Sequence, residues 1–281
     1  FEKELAASSL RPDAQLTRGW ALLELDRPKE ASPVFGSVVG NASVAVEARY
    51  GLGLAEYENE QWQRAAQTLD AAAEIDPKHA LVPAIRYYAG DALMKAGDAK
   101  GAASRFDQVL AIGGESNAWL DDAACGKISL ALRAGDREAV EKEADRFHKA
   151  FPDSPLRRQV NRMLSRALVE QRKFTEAIAL LQPMITAQPD GPDALENRYL
   201  LAASLDGSQR YEEALAALTP VLEKGEGRLK SDAQLVAGSS LLSLKRYSEA
   251  IGPLEAFLAS QPQGDTAIRA EGLLAVAFAR T

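Results

Sequence analysis

Two histidines, His79 and His148, and a single cysteine, Cys125, are the chain's whole supply of imidazole and thiol. A zinc site needs several such ligands closely spaced, and a nucleophilic thiol needs a base beside it. These three residues lie far apart in sequence, so no metal site and no Cys/His pair is expected, and both histidines read as surface residues. "ACGKIS", around Gly126 and Lys127, has the end of a phosphate-binding loop but not its beginning. Asp121 stands where the first glycine belongs, and no strand precedes it. The acidic pairs Asp121-Asp122 and Glu212-Glu213 are of a type that performs acid/base work or binds Ca²⁺. Both fall in the first turn of predicted helices, where a carboxylate favours the helix dipole. No segment has the alternating oxygen ligands and central glycine of a Ca²⁺ loop. No catalytic residue, cofactor or metal is expected, and the chain reads as a non-enzyme.

The elements that carry these residues are helices. Of 281 residues, 46% are hydrophobic but only 6% aromatic, and Ala, Leu, Glu, Lys and Arg dominate. Those are the strongest helix formers. Runs of Val, Ile and Thr in strict alternation are missing, so an all-α fold is expected. A net charge of −7 and a sequence pI of about 5.1 argue against a nucleic-acid partner. The longest apolar run, "LLAVAFA", falls far short of the roughly 20 residues that span a membrane. One cysteine permits no internal disulfide, which suits cytosol and bacterial envelope alike. Asn41-Ala42-Ser43 matches a glycosylation triplet. The chain opens at Phe1 rather than Met, the expectation for a cut or processed piece.

Three phrases repeat: "RKFTEAIALLQ" from Arg172, "QRYEEALAALT" from Gln209 and "KRYSEAIGPLE" from Lys245. Anchored on Ala177, Ala214 and Ala250, each has a small residue twelve positions back (Ser165, Ala202, Gly238) and a Leu four positions on (Leu181, Leu218, Leu254). The same ruler fits Gly53, Ala65 and Leu69, then Gly90, Ala102 and Phe106, then Gly19, Ala31 and Phe35. It fits worst between Asp121 and Ser154, where Ile128 and Val140 take the small and anchor places.

This pattern resembles the tetratricopeptide repeat, a helix-turn-helix unit of about 34 residues. The resemblance covers nearly the whole chain. It implies a right-handed α-α superhelix forming one domain over 1–281, with units starting near Pro12, Val46, Pro83, Asp121, Arg158, Leu195 and Ser231 and a last helix from about Asp265. Gly53 is expected to face Ala65, and Gly238 to face Ala250, so that two helices can close. Ser154-Pro155, Pro192-Asp193 and Ser231 read as helix starts. Pro183 and Pro220 fall inside second helices, and a bend is expected near each.

The resemblance also implies a concave groove lined by the first helix of each unit. The groove positions hold Trp20, Tyr50, Leu54, Tyr57, Tyr87, Asp91, Lys95, Arg162, Arg166 and Tyr199. An aromatic patch in the first half and a basic spot at Arg162 and Arg166 would take apolar residues and a carboxylate of a bound peptide. The Lys and Asn set with which some members hold a C-terminal carboxylate is replaced here by Leu16, Trp20, Tyr50, Leu54, Tyr87 and Asp91, so that mode is not expected. The expected function is a non-catalytic scaffold binding a partner protein or peptide, with a targeting or regulatory arm of a larger enzyme as the alternative. The last helix, apolar on one face, is a candidate for self-association. Linkers such as "AFPDSP" resemble those of bacterial envelope members, which leans towards the periplasm, with the cytoplasm as alternative.

Overall fold

The computed structural model describes residues 11–114 and 117–281; residues 1–10 and 115–116 of the expected 1–281 domain lie outside the described residues. The described residues form helices and no strand. In chain order these are α1 (Arg11–Glu24), α2 (Pro28–Gly36), α3 (Ala45–Glu58), α4 (Trp62–Ile75), α5 (Val82–Lys95), α6 (Ala99–Ile112), α7 (Leu120–Arg133) and α8 (Arg137–Ala150), followed by α9 (Arg157–Glu170), α10 (Phe174–Ala187), α11 (Ala194–Gly207), α12 (Tyr211–Lys224), α13 (Gly227–Ser243), α14 (Tyr247–Ala259) and α15 (Asp265–Arg280). They amount to seven pairs and one further helix. Two compact units hold them. The first runs to Ala134 and includes Lys149–Leu156, and the second comprises Gly135–His148 and Arg157–Thr281.

Within the first unit each helix packs on the next from α1 to α7, and the first helices also touch one another: α1 with α3, α3 with α5, α5 with α7. The second unit repeats this for α9, α11, α13 and α15. Contact between alternate helices on one side makes that side the shorter, so the first helices form the inner layer of each unit.

Side-chain volume sets these contacts. A Cβ placed on Gly53 would lie 2.6 Å from Leu69 Cγ, and one on Gly238 would lie 2.5 Å from Leu254 Cγ. The small residue therefore makes room for the Leu four residues past the expected Ala, rather than chiefly for the Ala. Phe106 goes further. A Cβ on Gly90 would come within 2.8 Å of its ring, and one on Gly126 within 2.7 Å, so the ring is wedged between consecutive first helices. Phe35 is held the same way by Gly19 and Gly51. Phe35, Phe106, Leu69, Leu181, Leu218 and Leu254 are all fully buried. Filling such a seat with an extra side chain costs about 1–3 kcal/mol by overpacking.

The turn inside each pair has one design. Its middle residue is left-handed, with φ of 54° at Asp26, 60° at Glu60, 86° at Gly97, 70° at Gly135, 62° at Arg172, 62° at Gln209 and 61° at Lys245. The following N–H reaches back five residues, as Lys173 donates to the Leu168 carbonyl at 2.8 Å and Arg246 to the Leu241 carbonyl at 2.9 Å. This is a Schellman closure. The acid of the repeated phrase answers the base three residues earlier: Arg27 with Glu30, Arg210 with Glu213 and Arg246 with Glu249.

Two sequence expectations need adjustment. Ser231 is not a helix start. It lies inside α13, which begins at Gly227, and its hydroxyl donates to the Gly227 carbonyl at 3.2 Å. Helices α10 and α12 run unbroken through Pro183 and Pro220. Pro183 and Ala179 are both exposed, so the carbonyl that the ring leaves without a donor faces water.

A left-handed residue other than glycine costs about 1–2 kcal/mol, part of which glycine returns as unfolded-state entropy. The side chains of Arg172 and Lys245 make no hydrogen bond or ion pair among the described residues, and their backbone N–H bonds to the Val169 and Leu242 carbonyls do not depend on the side chain. Arg172→Gly and Lys245→Gly should therefore each stabilise the chain by about 0.5–1 kcal/mol, whereas Gly97→Ala should destabilise it by a similar amount. Urea denaturation midpoints check this; unchanged or lower midpoints for both glycine variants would refute it.

Candidate functional site

In the first compact unit the inner layer carries a continuous row of aromatic rings. Trp20 on α1 lies 5.2 Å from Phe35 and 5.7 Å from Tyr50 on α3, centroid to centroid. Tyr50 and Tyr57 are two helical turns apart and share one face. Both reach Tyr88 on α5, at 6.3 Å and 5.7 Å. Tyr88 and its neighbour Tyr87 both meet Trp119, at 5.4 Å and 5.0 Å. Most of these contacts are edge-to-face or tilted, the arrangement that ring quadrupoles favour. Leu54, half-buried, follows Tyr50 by one turn on α3.

Two members of the row, Tyr88 and Trp119, were not among the groove residues read from the sequence. Tyr88 stands two positions before the small-residue slot Gly90, where the neighbouring pairs carry Gly51 and Gly126 to seat a phenylalanine. Here the preceding second helix offers Leu69 instead, and Tyr88 packs on the cluster that contains it. "YY" at 87 and 88 was the available signal. Trp119 immediately precedes α7. The buried Asn117 fixes it by donating through Nδ2 to the Val109 carbonyl at 3.2 Å and accepting the Trp119 N–H at 3.1 Å.

The polar candidates of this unit bind one another. Tyr57 Oη donates to Asp91 Oδ2, and Lys95 Nζ donates to the same hydroxyl oxygen. Lys95 Nζ also lies 3.5 Å from Asp91 Oδ2, 4.2 Å from the Tyr57 ring centroid and 4.6 Å from that of Trp62. An ammonium on ring faces beside a carboxylate is thus already built into the row. Asp122, one turn past Trp119, is half-buried; burial and then Asp121 raise its pKa. Burial is also the main cause that pushes the phenols of Tyr50, Tyr57, Tyr87 and Tyr88 up, with Asp91 contributing next at Tyr57 and Tyr87.

In the second unit the expected basic spot is met by the chain's own acids. Arg162 pairs with Asp193 and reaches Glu196 at 3.8 Å. Arg166 is exposed, with Glu170 at 3.9 Å. Arg166, Tyr199, Glu196, Arg228 and Asp232 line a cavity of about 460 Å³, and burial raises the Tyr199 phenol. The remaining chemical suspects have structural partners. His79 Nε2 lies 3.4 Å from Glu47, Lys127 Nζ is 2.7 Å from Asp107, and Asp121 accepts the Ser154 hydroxyl at 2.7 Å. Burial lowers the pKa of His148. Among the described residues no group of three metal-ligating side chains comes together, and no helix is long and apolar enough to cross a membrane.

Antiparallel helix pairs stacked with an exposed inner layer define a helical-repeat scaffold. The chain belongs to the tetratricopeptide repeat family, whose model matches residues 16–80, 125–192 and 199–265. Proteins of this family bind proteins or peptides, and the repeat is generally non-catalytic. Solved structures share the fold at low identity. A tetratricopeptide repeat protein from Parabacteroides merdae is 12% identical with a TM-score of 0.63, over 95% of this chain and 98% of that one. Pseudomonas aeruginosa pilF is 14% identical with a TM-score of 0.64, over 82% and 98%. The C-terminal part of a repeat protein from Cytophaga hutchinsonii is 15% identical with a TM-score of 0.66, over 91% and 98%. No curated protein sequence matches significantly.

The phenols generate a pH prediction. Tyr50, Tyr57, Tyr87, Tyr88 and Tyr199 hold their protons above the ordinary value of 10.0 when folded. A pKa raised by folding stabilises the fold fully below pH 10.0 and ceases to do so as pH rises past it. Spectrophotometric titration should show these phenols ionising later in the native than in the denatured protein, and the denaturation midpoint should fall above about pH 10. Coincident native and denatured titrations would contradict this.

Proposed function

We propose that the chain is a non-catalytic interaction module, one array over 1–281, that takes an extended segment of a partner protein against the aromatic row of its first compact unit. One observation carries this reading: half-buried rings run without a break from Trp20 to Trp119 across α1, α3, α5 and the start of α7. Half-buried Tyr and Trp are suited to binding because they bury large area while losing little side-chain freedom and keep a polar tip for hydrogen bonding. The hydroxyls of Tyr50, Tyr87 and Tyr88 make no hydrogen bond among the described residues, which leaves them for a ligand's backbone. Arg162 and Arg166 support the reading less, since Asp193, Glu196 and Glu170 already face them. Pull-down from the source organism with the wild type, a Tyr50→Ala/Tyr88→Ala variant and a Tyr199→Ala control tests it, with helicity and melting checked for each. A partner should be lost about tenfold or more from the double variant and kept by the control. Equal retention by all three would defeat the assignment.

The last helix supports a second reading, association of two copies. Ile268 and Val276 are exposed on α15, and nothing lies within 4 Å of a Cβ placed on Gly272 between them. Sedimentation should then show a dimer for the wild type and a monomer for Gly272→Arg; a monomeric wild type would remove this reading.

A further inference from the structure

The row contains two places where aromatic rings and a carboxylate meet, and among the described residues only one holds a cation. At Tyr57 and Trp62 the cation is the chain's own Lys95, over both rings and 3.5 Å from Asp91. At the other end, Tyr87, Tyr88 and Trp119 cluster with centroids 5.0 to 5.4 Å apart. Asp122 follows Trp119 by three residues, which puts the two on one face at the start of α7. Its side chain is half-buried and enters no ion pair among the described residues. Its charge, together with those of Glu58 and Asp91, reaches Tyr88. A half-buried carboxylate without a cation is poorly compensated, and the faces of Tyr and Trp attract positive charge.

We propose that this end of the row receives a Lys or Arg side chain from a basic segment of the partner, its charge set against Asp122 and its stem against Tyr87, Tyr88 and Trp119. A neutral apolar segment would cover the rings but leave Asp122 unpaired, and an acidic one would meet repulsion from Asp122, Asp121, Asp91 and Glu58. The net charge of −7 favours encounter with the same class of partner.

The inference rests on the groove reading above, and the test separates the two. Immobilised nonapeptide pools with randomised flanks and a central Arg, Gln or Glu are probed with the full chain as wild type, Asp122→Asn and Tyr50→Ala. Melting curves first establish that all three are folded. The Arg pool should retain the wild type about 5–10-fold better than the Gln pool, with the Glu pool weakest. Asp122→Asn should bring the Arg and Gln pools level, while Tyr50→Ala should weaken all pools. Equal retention by Arg and Gln pools, or an Arg preference that survives Asp122→Asn, overturns the inference; if Tyr50→Ala still weakens binding, the groove reading stands alone. Binding untouched by Tyr50→Ala, or no binding to any pool, overturns both.

Discussion

Everything in this fold depends on where a second helix sets its largest apolar side chain. Phe106 is the clearest case, wedged against Gly90 of its own pair and Gly126 of the next. One ring thereby fixes three helices, and neither neighbour can grow a side chain without forcing them apart. Such contacts are local in sequence, each pair reaching only its neighbours, so stability accumulates along the array as a chain of nearest-neighbour terms. The volumes are also shared out. Where the wedge is Phe35 or Phe106, two glycines flank it. Where it is Leu69, Gly53 lies on one side and Tyr88 on the cluster at the other.

That sharing links packing to the site. Tyr88 occupies a register position that holds glycine at Gly51 and Gly126, where the preceding wedge is Phe35 or Phe106, and it can be large because its own preceding wedge is the smaller Leu69. Four rings converge on it: Tyr50, Tyr57, Tyr87 and Trp119. The convergence of the row on Tyr88 thus depends on the leucine wedge at position 69. The row's polar rim follows the same economy, with Lys95 neutralising Asp91 inside the row while Asp122 has no counter-charge among the described residues.

The helix pairs were legible in the sequence because the small and large residues recur at fixed separations, and the first-helix frame pointed to Trp20, Tyr50, Tyr57 and Tyr87. Other features were hidden for identifiable reasons. Reading Tyr88 as accessible requires knowing the size of Leu69 on another helix. Trp119 lies outside the helical frame, on a loop held by Asn117. Arg162 reads as a free cation until the fold brings up Asp193 and Glu196 from the next pair. Gly126, which resembled part of a phosphate loop, is the seat of Phe106. The left-handed turn residue carries no sequence mark at Glu60, Arg172, Gln209 or Lys245, because the Schellman closure imposes the conformation whatever the side chain.

Of the chain's three tryptophans, Trp20 and Trp119 stand in this row and Trp62 borders it at Tyr57, each within 6 Å of a tyrosine ring. At such separations light absorbed by these phenols is handed to the indoles, so the tryptophan emission of the whole chain originates in the first compact unit. A partner seated on the row as proposed would alter the polarity around Trp119 and hence the colour of that emission. The second unit, which has no tryptophan, adds only the weaker, shorter-wavelength emission of Tyr199, Tyr211 and Tyr247.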